Sequence, residues 1–267
     1  MNPSGLTFLK LGGSLITDKS QPLTAKPEII RQIAHEIADF RQYHPETSLL
    51  IGHGSGSFGH AVASQYQTQK GGAGDTYWNG FAAVWRAARE LNQILIEICH
   101  QVGLPVISFP PSAGVISRDR EFVSWDLQPM ELALSHNLIP VVQGDVIFDS
   151  TIGGTIFSTE KIFQYLCGQL HPDHILLAGL EEGVYSDPQE PEQIYPKITP
   201  SNFEDIRFAI SGSQTADVTG GMLTKVEMML TLVEKDPELK VQIFSGLKPG
   251  SIKKALAGET LGTIIGI

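Results

Sequence analysis

Lysines embedded among glycines are the residues of this chain best placed to do chemistry. Lys10 stands inside the apolar run Leu9-Lys10-Leu11 and is followed by Gly12-Gly13-Ser14, with Thr17-Asp18-Lys19 close behind. A cation inside an apolar strand is costly unless it meets an anion, and Gly12 and Gly13 let backbone come close to a ligand. A second cluster, Gly52-His53-Gly54-Ser55-Gly56-Ser57-Phe58-Gly59-His60, also follows an apolar run. Successive glycine N–H groups ahead of a helix form an anion cradle, and His60 at its lip is able to donate to a phosphate or carboxylate. A third, Asp217-Val218-Thr219-Gly220-Gly221-Met222-Leu223-Thr224-Lys225, opens an amphipathic stretch. It sets Lys225 in the first turns of a helix, where the macrodipole disfavours a cation. Asp145, in Gln143-Gly144-Asp145, is an acid at a strand end that can orient lysines, bind Mg²⁺ or cap a turn.

Several established chemistries do not fit these residues. Gly54-x-Gly56-x-x-Gly59 has the dinucleotide spacing, but no second strand ending in an acid follows about 20 residues later to hold a ribose. The same residues read as a phosphate loop with histidine where the lysine must stand. No Ser-His-Asp order, GxSxG elbow or His-Glu-x-x-His is present, so hydrolase chemistry lacks its parts. What remains is glycine cradles plus a few cations, a combination suited to phosphoryl transfer by positioning and charge neutralisation.

The elements that hold these residues alternate along the chain. Strand-like runs are Leu6–Leu11, Ser48–Gly52, Pro105–Phe109, Ile139–Gln143, His174–Ala178, Lys240–Ser245 and Gly262–Ile267. They are short and rich in Ile, Val and Leu, as strands buried on both faces are. Helical stripes lie between them, at Ile29–Phe40, Phe81–Ile98 and Met222–Val233. Strand alternating with helix predicts an α/β fold, a mostly parallel sheet covered on both sides. Ligands gather at the carboxyl ends of such strands, which is where the glycines fall. A soft lobe boundary is expected near His171, dividing 1–170 from 171–267 within one compact unit.

With 19 basic and 29 acidic residues among 267, the formal charge is −10. That balance argues against general binding to nucleic acid or to an anionic membrane. No run reaches the roughly 20 apolar residues of a membrane span. Cys99 and Cys167 read as small buried residues. With no leader pattern at Met1 to Lys10, the expected address is the cytoplasm.

Taken together, Lys10-Leu-Gly-Gly-Ser14, the loop Gly52 to Gly59, Gly144-Asp145 and Asp217-x-Thr-Gly-Gly-Met222-x-x-Lys225 resemble the amino acid kinase family, in order and over nearly the whole chain. His-Gly-x-Gly-x-Phe-Gly-His60 is most similar to the branch whose acceptor is isopentenyl phosphate. The resemblance implies a three-layer α/β/α sandwich, an acceptor lobe followed by a nucleotide lobe, and a homodimer. It implies ATP as donor with Mg²⁺, carried on phosphates with Asp145 as the nearest acid, and a prenyl monophosphate as acceptor. Lys10, Lys19 and Lys225 are then expected at the transferring phosphoryl, with Asp145 placing the lysines. Gly54, Ser55, Gly59, His60, Gly153 and Gly154 are expected on the acceptor. Lys10, Gly12, Gly13, Ser14, Gly56, Ala178, Gly183, Tyr185, Gly220, Gly221 and Lys225 are expected on the nucleotide. The chain departs from the family pattern at Ser55, at Ser158-Thr159-Glu160 and at Ala178 to Tyr185. Residues between Ala61 and Phe81, with Tyr66, Tyr77, Trp78 and Phe81 among them, are expected to line a tail pocket. Another small phosphate or phosphonate as acceptor, as in a fosfomycin kinase, and a non-catalytic nucleotide sensor are the competing readings.

Overall fold

The computed structural model describes residues 5–186, 193–211 and 221–267. Its strands are, in chain order, β1 (Leu6–Leu11), β2 (Ser48–His53), β3 (Val106–Ser108), β4 (Ile116–Arg118), β5 (Glu121–Ser124) and β6 (Ile139–Gln143). They continue as β7 (Asp145–Asp149), β8 (Gly153–Phe157), β9 (His174–Gly179), β10 (Lys197–Ile198), β11 (Lys240–Ser245) and β12 (Thr263–Ile265). The helices are α1 (Gly13–Ile16), α2 (Pro27–Tyr43), α3 (Gly56–Tyr66), α4 (Asp75–Gln101) and α5 (Gln128–Ser135). After them come α6 (Thr159–Leu170), α7 (Pro200–Ser211), α8 (Gly221–Lys235) and α9 (Ser251–Leu256).

All seven apolar runs became strands of one eight-stranded sheet, ordered β10-β12-β11-β9-β1-β2-β6-β3. β1 lies near its centre, parallel to β2 and to β9, with Lys10 opposite Gly52 and Leu177. The β1–β9 pairing carries the sheet without a break across residue 170. β11 and β12 are antiparallel, whereas the other pairs of this sheet are parallel.

Period-two alternation sends each strand's apolar residues to two cores. Phe8, Leu50, Val142, Ile175 and Val241 meet Ile162, Phe163, Val226 and Met229 of α6 and α8. Leu9, Leu11, Ile51, Val141 and Leu176 meet Ile33, Ile37, Leu91, Leu95 and Ile252 of α2, α4 and α9. The layers are therefore helix, sheet and helix. α2 opens with Pro27, whose fixed φ suits the first helical position. Its buried Glu36 accepts the Gly250, Ile252 and Lys253 N–H groups at 2.8, 2.9 and 3.3 Å, so one carboxylate caps α9 across the layer.

A second sheet, ordered β5-β4-β7-β8, has no counterpart in the sequence reading. Asp149 ties its turns together. Its carboxylate accepts from Ser117 Oγ (2.7 Å) and from the Asp119, Arg120, Thr151 and Ile152 N–H groups (2.8–3.1 Å). The stretch Ser186 to Pro200, which reads as a surface excursion, contains β10, paired with β12 at the sheet's edge; residues 187–192 of it lie outside the described residues.

Candidate active site

Alternation along β1 places Lys10 on the same face as Phe8, whose ring packs on Phe163 of α6 at 5.0 Å. The lysine is 8% exposed, and Nζ donates to the Glu160 carboxylate in the first turn of α6. Burial alone raises the Glu160 carboxyl. The charges of Lys10 and then of Lys225, together with the Lys10 hydrogen bond, outweigh it and hold the group well below the usual carboxylate range. Glu160 is thus an anion set between two cations that arrive from β1 and α8.

This arrangement corrects one expectation. Asp145 does not place the lysines: its carboxylate turns inward, 1% exposed, and accepts the Ser112 N–H at 3.1 Å and the Val146 N–H at 2.9 Å. Burial pushes it up to about 6 against the pull of those donors. It does not line the cleft, whereas Gly144 beside it does. The acid that sequence reasoning missed is Glu160. Its only signal was the departure at Ser158-Thr159-Glu160.

Two glycine loops meet in front of Lys10. Gly54 N–H donates to the Leu11 carbonyl at 3.1 Å, and a Cβ at Gly13 would collide with the Gly56 backbone nitrogen. Gly56, at φ +47°, lies against Thr17, whose Oγ1 accepts the Ser57 N–H at 3.0 Å. Only residues without a side chain allow both loops to occupy this space. α3, α6 and α8 all begin at the resulting cleft. Their N-terminal dipoles add to the lysines in favouring an anion.

The cleft encloses about 400 Å³. It brings together Lys10, Gly12, Gly13, Ser14 and Lys19 with Gly54, Ser55, Gly56, Gly221 and Lys225. Other expected residues stand elsewhere. Gly59 lies within α3 against the Ser55 side chain. Gly153 and Gly154 do not face the cleft; Gly154 makes room for the Phe81 ring and the Tyr77 hydroxyl. The Ala178 carbonyl takes the Gly12 N–H at 2.8 Å, a supporting contact rather than a lining one. Gly183 packs on Thr263, and Tyr185 bridges to Ile194, both away from the cleft. Asp217, Thr219 and Gly220 lie outside the described residues, as does the side chain of His60, whose backbone belongs to α3.

From the cleft wall at Ile156 an apolar cluster runs back through Val146, Phe81, Tyr77, Val84 and Ala63. Trp78 stacks edge-on against Phe81 at 5.3 Å, and Phe148 lies 5.0 Å from the Phe81 ring. Phe81 is also a wall of a second hollow of about 630 Å³, which it shares with Trp85, Arg89, Gln143 and Phe148. The expected tail region is therefore apolar, with Phe81 at its centre and Trp78 at its rim.

Among the described residues no group of three or more His, Cys, Asp or Glu side chains is placed to hold a metal. The acid that lines the cleft, Glu160, is engaged by Lys10. The cations and glycine loops of the cleft suit the nucleotide phosphates on which an Mg²⁺ ion would be carried.

Residues 5–245 match the model of the amino acid kinase family. The chain belongs to that family. It is 35% identical to the isopentenyl phosphate kinase of Methanocaldococcus jannaschii, over 97% of this chain and 98% of that one. It is 30% identical to the enzyme of the same name from Methanothermobacter thermautotrophicus, over 95% and 96%. Among solved structures, an isopentenyl phosphate kinase superposes with a TM-score of 0.81 at 28% identity, covering 97% of this chain and 99% of the other. The three-layer architecture is thus that of a kinase family.

Proposed function

We propose that the chain transfers the γ-phosphoryl of ATP to isopentenyl phosphate, giving isopentenyl diphosphate and ADP. The observation that carries this reading is the buried Lys10–Glu160 pair, with Lys225 beside it, at the meeting point of two glycine loops and three helix starts. It is supported by the full-length likeness to isopentenyl phosphate kinases. Residues 1–170 hold the acceptor and 171–267 contribute to the nucleotide side. An oxygen of the acceptor phosphate attacks Pγ as the bond from Pγ to the ADP oxygen breaks. A phosphate monoester is largely dianionic at neutral pH, since its second pKa is about 6, so the attacking oxygen has no proton to lose and the site needs no general base. Glu160, held by Lys10, is not free to serve as one.

Lys10 and Lys225 neutralise charge on the moving phosphoryl, and Glu160 holds them in register. Lys19, exposed on the loop after α1, covers the bridging phosphates. Gly13 and Gly221 bring N–H groups to the nucleotide, and Gly12 lets the backbone approach it; Ser55 and His60 hold the acceptor's phosphate beside Gly54. Mg²⁺ accompanies the nucleotide and shields its phosphate charge. The apolar cluster from Ile156 to Phe81 takes the prenyl tail.

The enzyme acts as a homodimer, a reading supported by the unpaired edge strand β3 with Ile107, Leu132 and Leu138 exposed near it. It works in the cytoplasm, a reading supported by the free, buried Cys99 and Cys167. An ADP-release assay across isopentenyl phosphate, other short prenyl phosphates, a nucleoside monophosphate and fosfomycin tests the reading. The highest kcat/KM belongs to isopentenyl phosphate; a clear preference for fosfomycin or the nucleotide would overturn it.

A further inference from the structure

Thr17 closes α1 and is fully buried, yet the transfer chemistry above makes no use of it. Its hydroxyl lies between the two glycine loops. Oγ1 donates to the Gly13 carbonyl at 2.7 Å and accepts the Ser57 N–H at 3.0 Å. A carbonyl only accepts and an amide N–H only donates, so the single hydroxyl hydrogen has one place to go. The bridge therefore runs in one sense, from Ser57 to Thr17 and from Thr17 to Gly13.

Ser57 stands in the first turn of α3, where N–H groups have no partner within the helix. Ser55, at the N-cap of α3, makes no capping bond with its side chain, and Thr17 supplies the acceptor from another element. The Gly13 carbonyl also takes the Thr17 N–H at 3.0 Å, so the end of α1 is closed without the hydroxyl. What the hydroxyl adds is the link across to α3. Gly56 is bare beside it: a Cβ there would run into Thr17 Oγ1 and the Gly13 carbonyl oxygen.

The bridge bears on the cleft from both sides. Gly13 and Ser14 stand by one end, Ser55 and Gly56 by the other, and all four line the cleft. The strap that carries Lys19 is tied at the same point. Leu23 N–H donates to the Ser57 carbonyl at 3.4 Å, and the Ser57 hydroxyl meets the Thr24 N–H and carbonyl, each at 3.4 Å. Thr17 thus sets how far apart the loops stand, at the place where attacking and leaving oxygens have to come into line across the phosphoryl.

We propose that Thr17 is a positioning residue for phosphoryl transfer: its hydroxyl clasps the loop that receives the nucleotide to the loop that receives the acceptor, and so fixes the distance across which the phosphoryl moves. This rests on the assignment of Gly12–Ser14 to the nucleotide and of Gly54–Gly56 to the acceptor.

The test compares Thr17→Val, which keeps the shape and the backbone N–H and loses the hydroxyl, with Thr17→Ser, which keeps the hydroxyl. Thr17→Val lowers kcat per active site roughly 10- to 100-fold, the scale of a misplacement of about 1 Å at the reacting atoms. The Kd values for ADP and for isopentenyl phosphate, each measured alone by calorimetry, stay within threefold of wild type. Thr17→Ser restores most of the rate. A purely structural role would lower thermal stability and the active fraction, read from the calorimetric stoichiometry, and leave kcat per active site unchanged. Thr17→Val with kcat within twofold of wild type, or Thr17→Ser as slow as Thr17→Val, overturns the proposal.

A second readout needs no turnover. Adenosine joined to isopentenol through a tetraphosphate carries both ligands in one molecule, so its affinity depends on the spacing of the loops. Thr17→Val weakens its binding at least tenfold; a loss no larger than the changes for the separate ligands overturns the proposal. A wild type that ignores isopentenyl phosphate and uses fosfomycin or a nucleotide overturns the proposed function instead, and the same two variants assayed with that acceptor decide the clasp. A wild type that transfers to no acceptor overturns both.

Discussion

Replacing Glu160 by Gln keeps the shape of the side chain and removes its charge. In the native site the Glu160 and Lys10 side chains are 11% and 10% exposed, so water does little to screen the pair. Removing one partner of a buried pair costs about 3–5 kcal/mol, because the remaining charge is left uncompensated. Gln retains an acceptor for Lys10 Nζ, which places the expected loss near the lower end, about 3 kcal/mol. For a chain of this size that lowers Tm by roughly 6–12 °C.

The effect on rate is separate. Without an anion between them, Lys10 and Lys225 repel and move off the transferring phosphoryl, and loss of one such charge-stabilising contact costs about 10²–10³ in kcat. Glu160→Asp keeps the charge on a shorter arm and recovers part of both. The acid dependence has a fixed sign. Glu160 is held below its ordinary 4.5 in the folded state, so its stabilisation is complete above that pH and is lost as pH falls through the folded value. The Tm gap between wild type and Glu160→Gln is therefore full at pH 7–8 and narrows below about 4.5. The assays are steady-state kcat at saturating substrates and thermal unfolding from pH 4 to 8. A Glu160→Gln enzyme with kcat within threefold of wild type would refute the claim that this carboxylate organises the lysines.

Lys10→Ala and Lys225→Ala each lower kcat by about 10²–10³ with small changes in either KM; near-normal turnover at saturating ATP and Mg²⁺ removes them from the catalytic set. His60→Asn raises the KM for the acceptor while leaving that for ATP nearly unchanged, and an unaltered acceptor KM refutes its phosphate contact. Phe81→Ala opens the tail cluster toward the second hollow and shifts preference to longer prenyl phosphates, each buried CH₂ contributing about 0.8 kcal/mol; Trp78→Ala, at the rim, shifts it less, and unchanged chain-length preference in both moves the tail elsewhere. Asp145 titrates at about 6 in the fold against 3.8 ordinarily, so its native environment favours stability below 3.8 and that advantage is lost as pH rises through 6. Asp145→Asn therefore gains on wild type by up to about 3 kcal/mol between pH 4 and pH 8, measured by chemical denaturation at both pH values; a constant difference contradicts its burial as an acid.

Lys10 was legible because a lysine in an apolar strand has so few places to go, and the glycine loops because their spacing after apolar runs admits few other uses. The seven core strands were legible because burial on both faces leaves no polar alternation to confuse them. The second sheet was not, because its strands carry mixed faces such as Asp145-Val-Ile-Phe-Asp149, and Asp149 holds their turns through backbone donors that composition does not reveal. Glu160 does not stand out in the sequence because an acid in the first turn of a helix is ordinary; only the arrival of Lys10 beside it, 150 residues away in sequence, gives it work. Asp145 misleads for the converse reason. A strand-end acid invites a catalytic role, yet the step from β6 into β7 turns it into the interior.

What sets this site apart is an acceptor that is already a phosphate and a product that is a diphosphate. ³¹P NMR of the wild-type protein with isopentenyl phosphate, ATP and Mg²⁺ tests this most directly. The monoester resonance is expected to decline as a pair of coupled diphosphate signals grows, in step with ADP and without inorganic phosphate. ADP accompanied by inorganic phosphate alone, or an isopentenyl phosphate signal that persists while ATP remains intact, would contradict it.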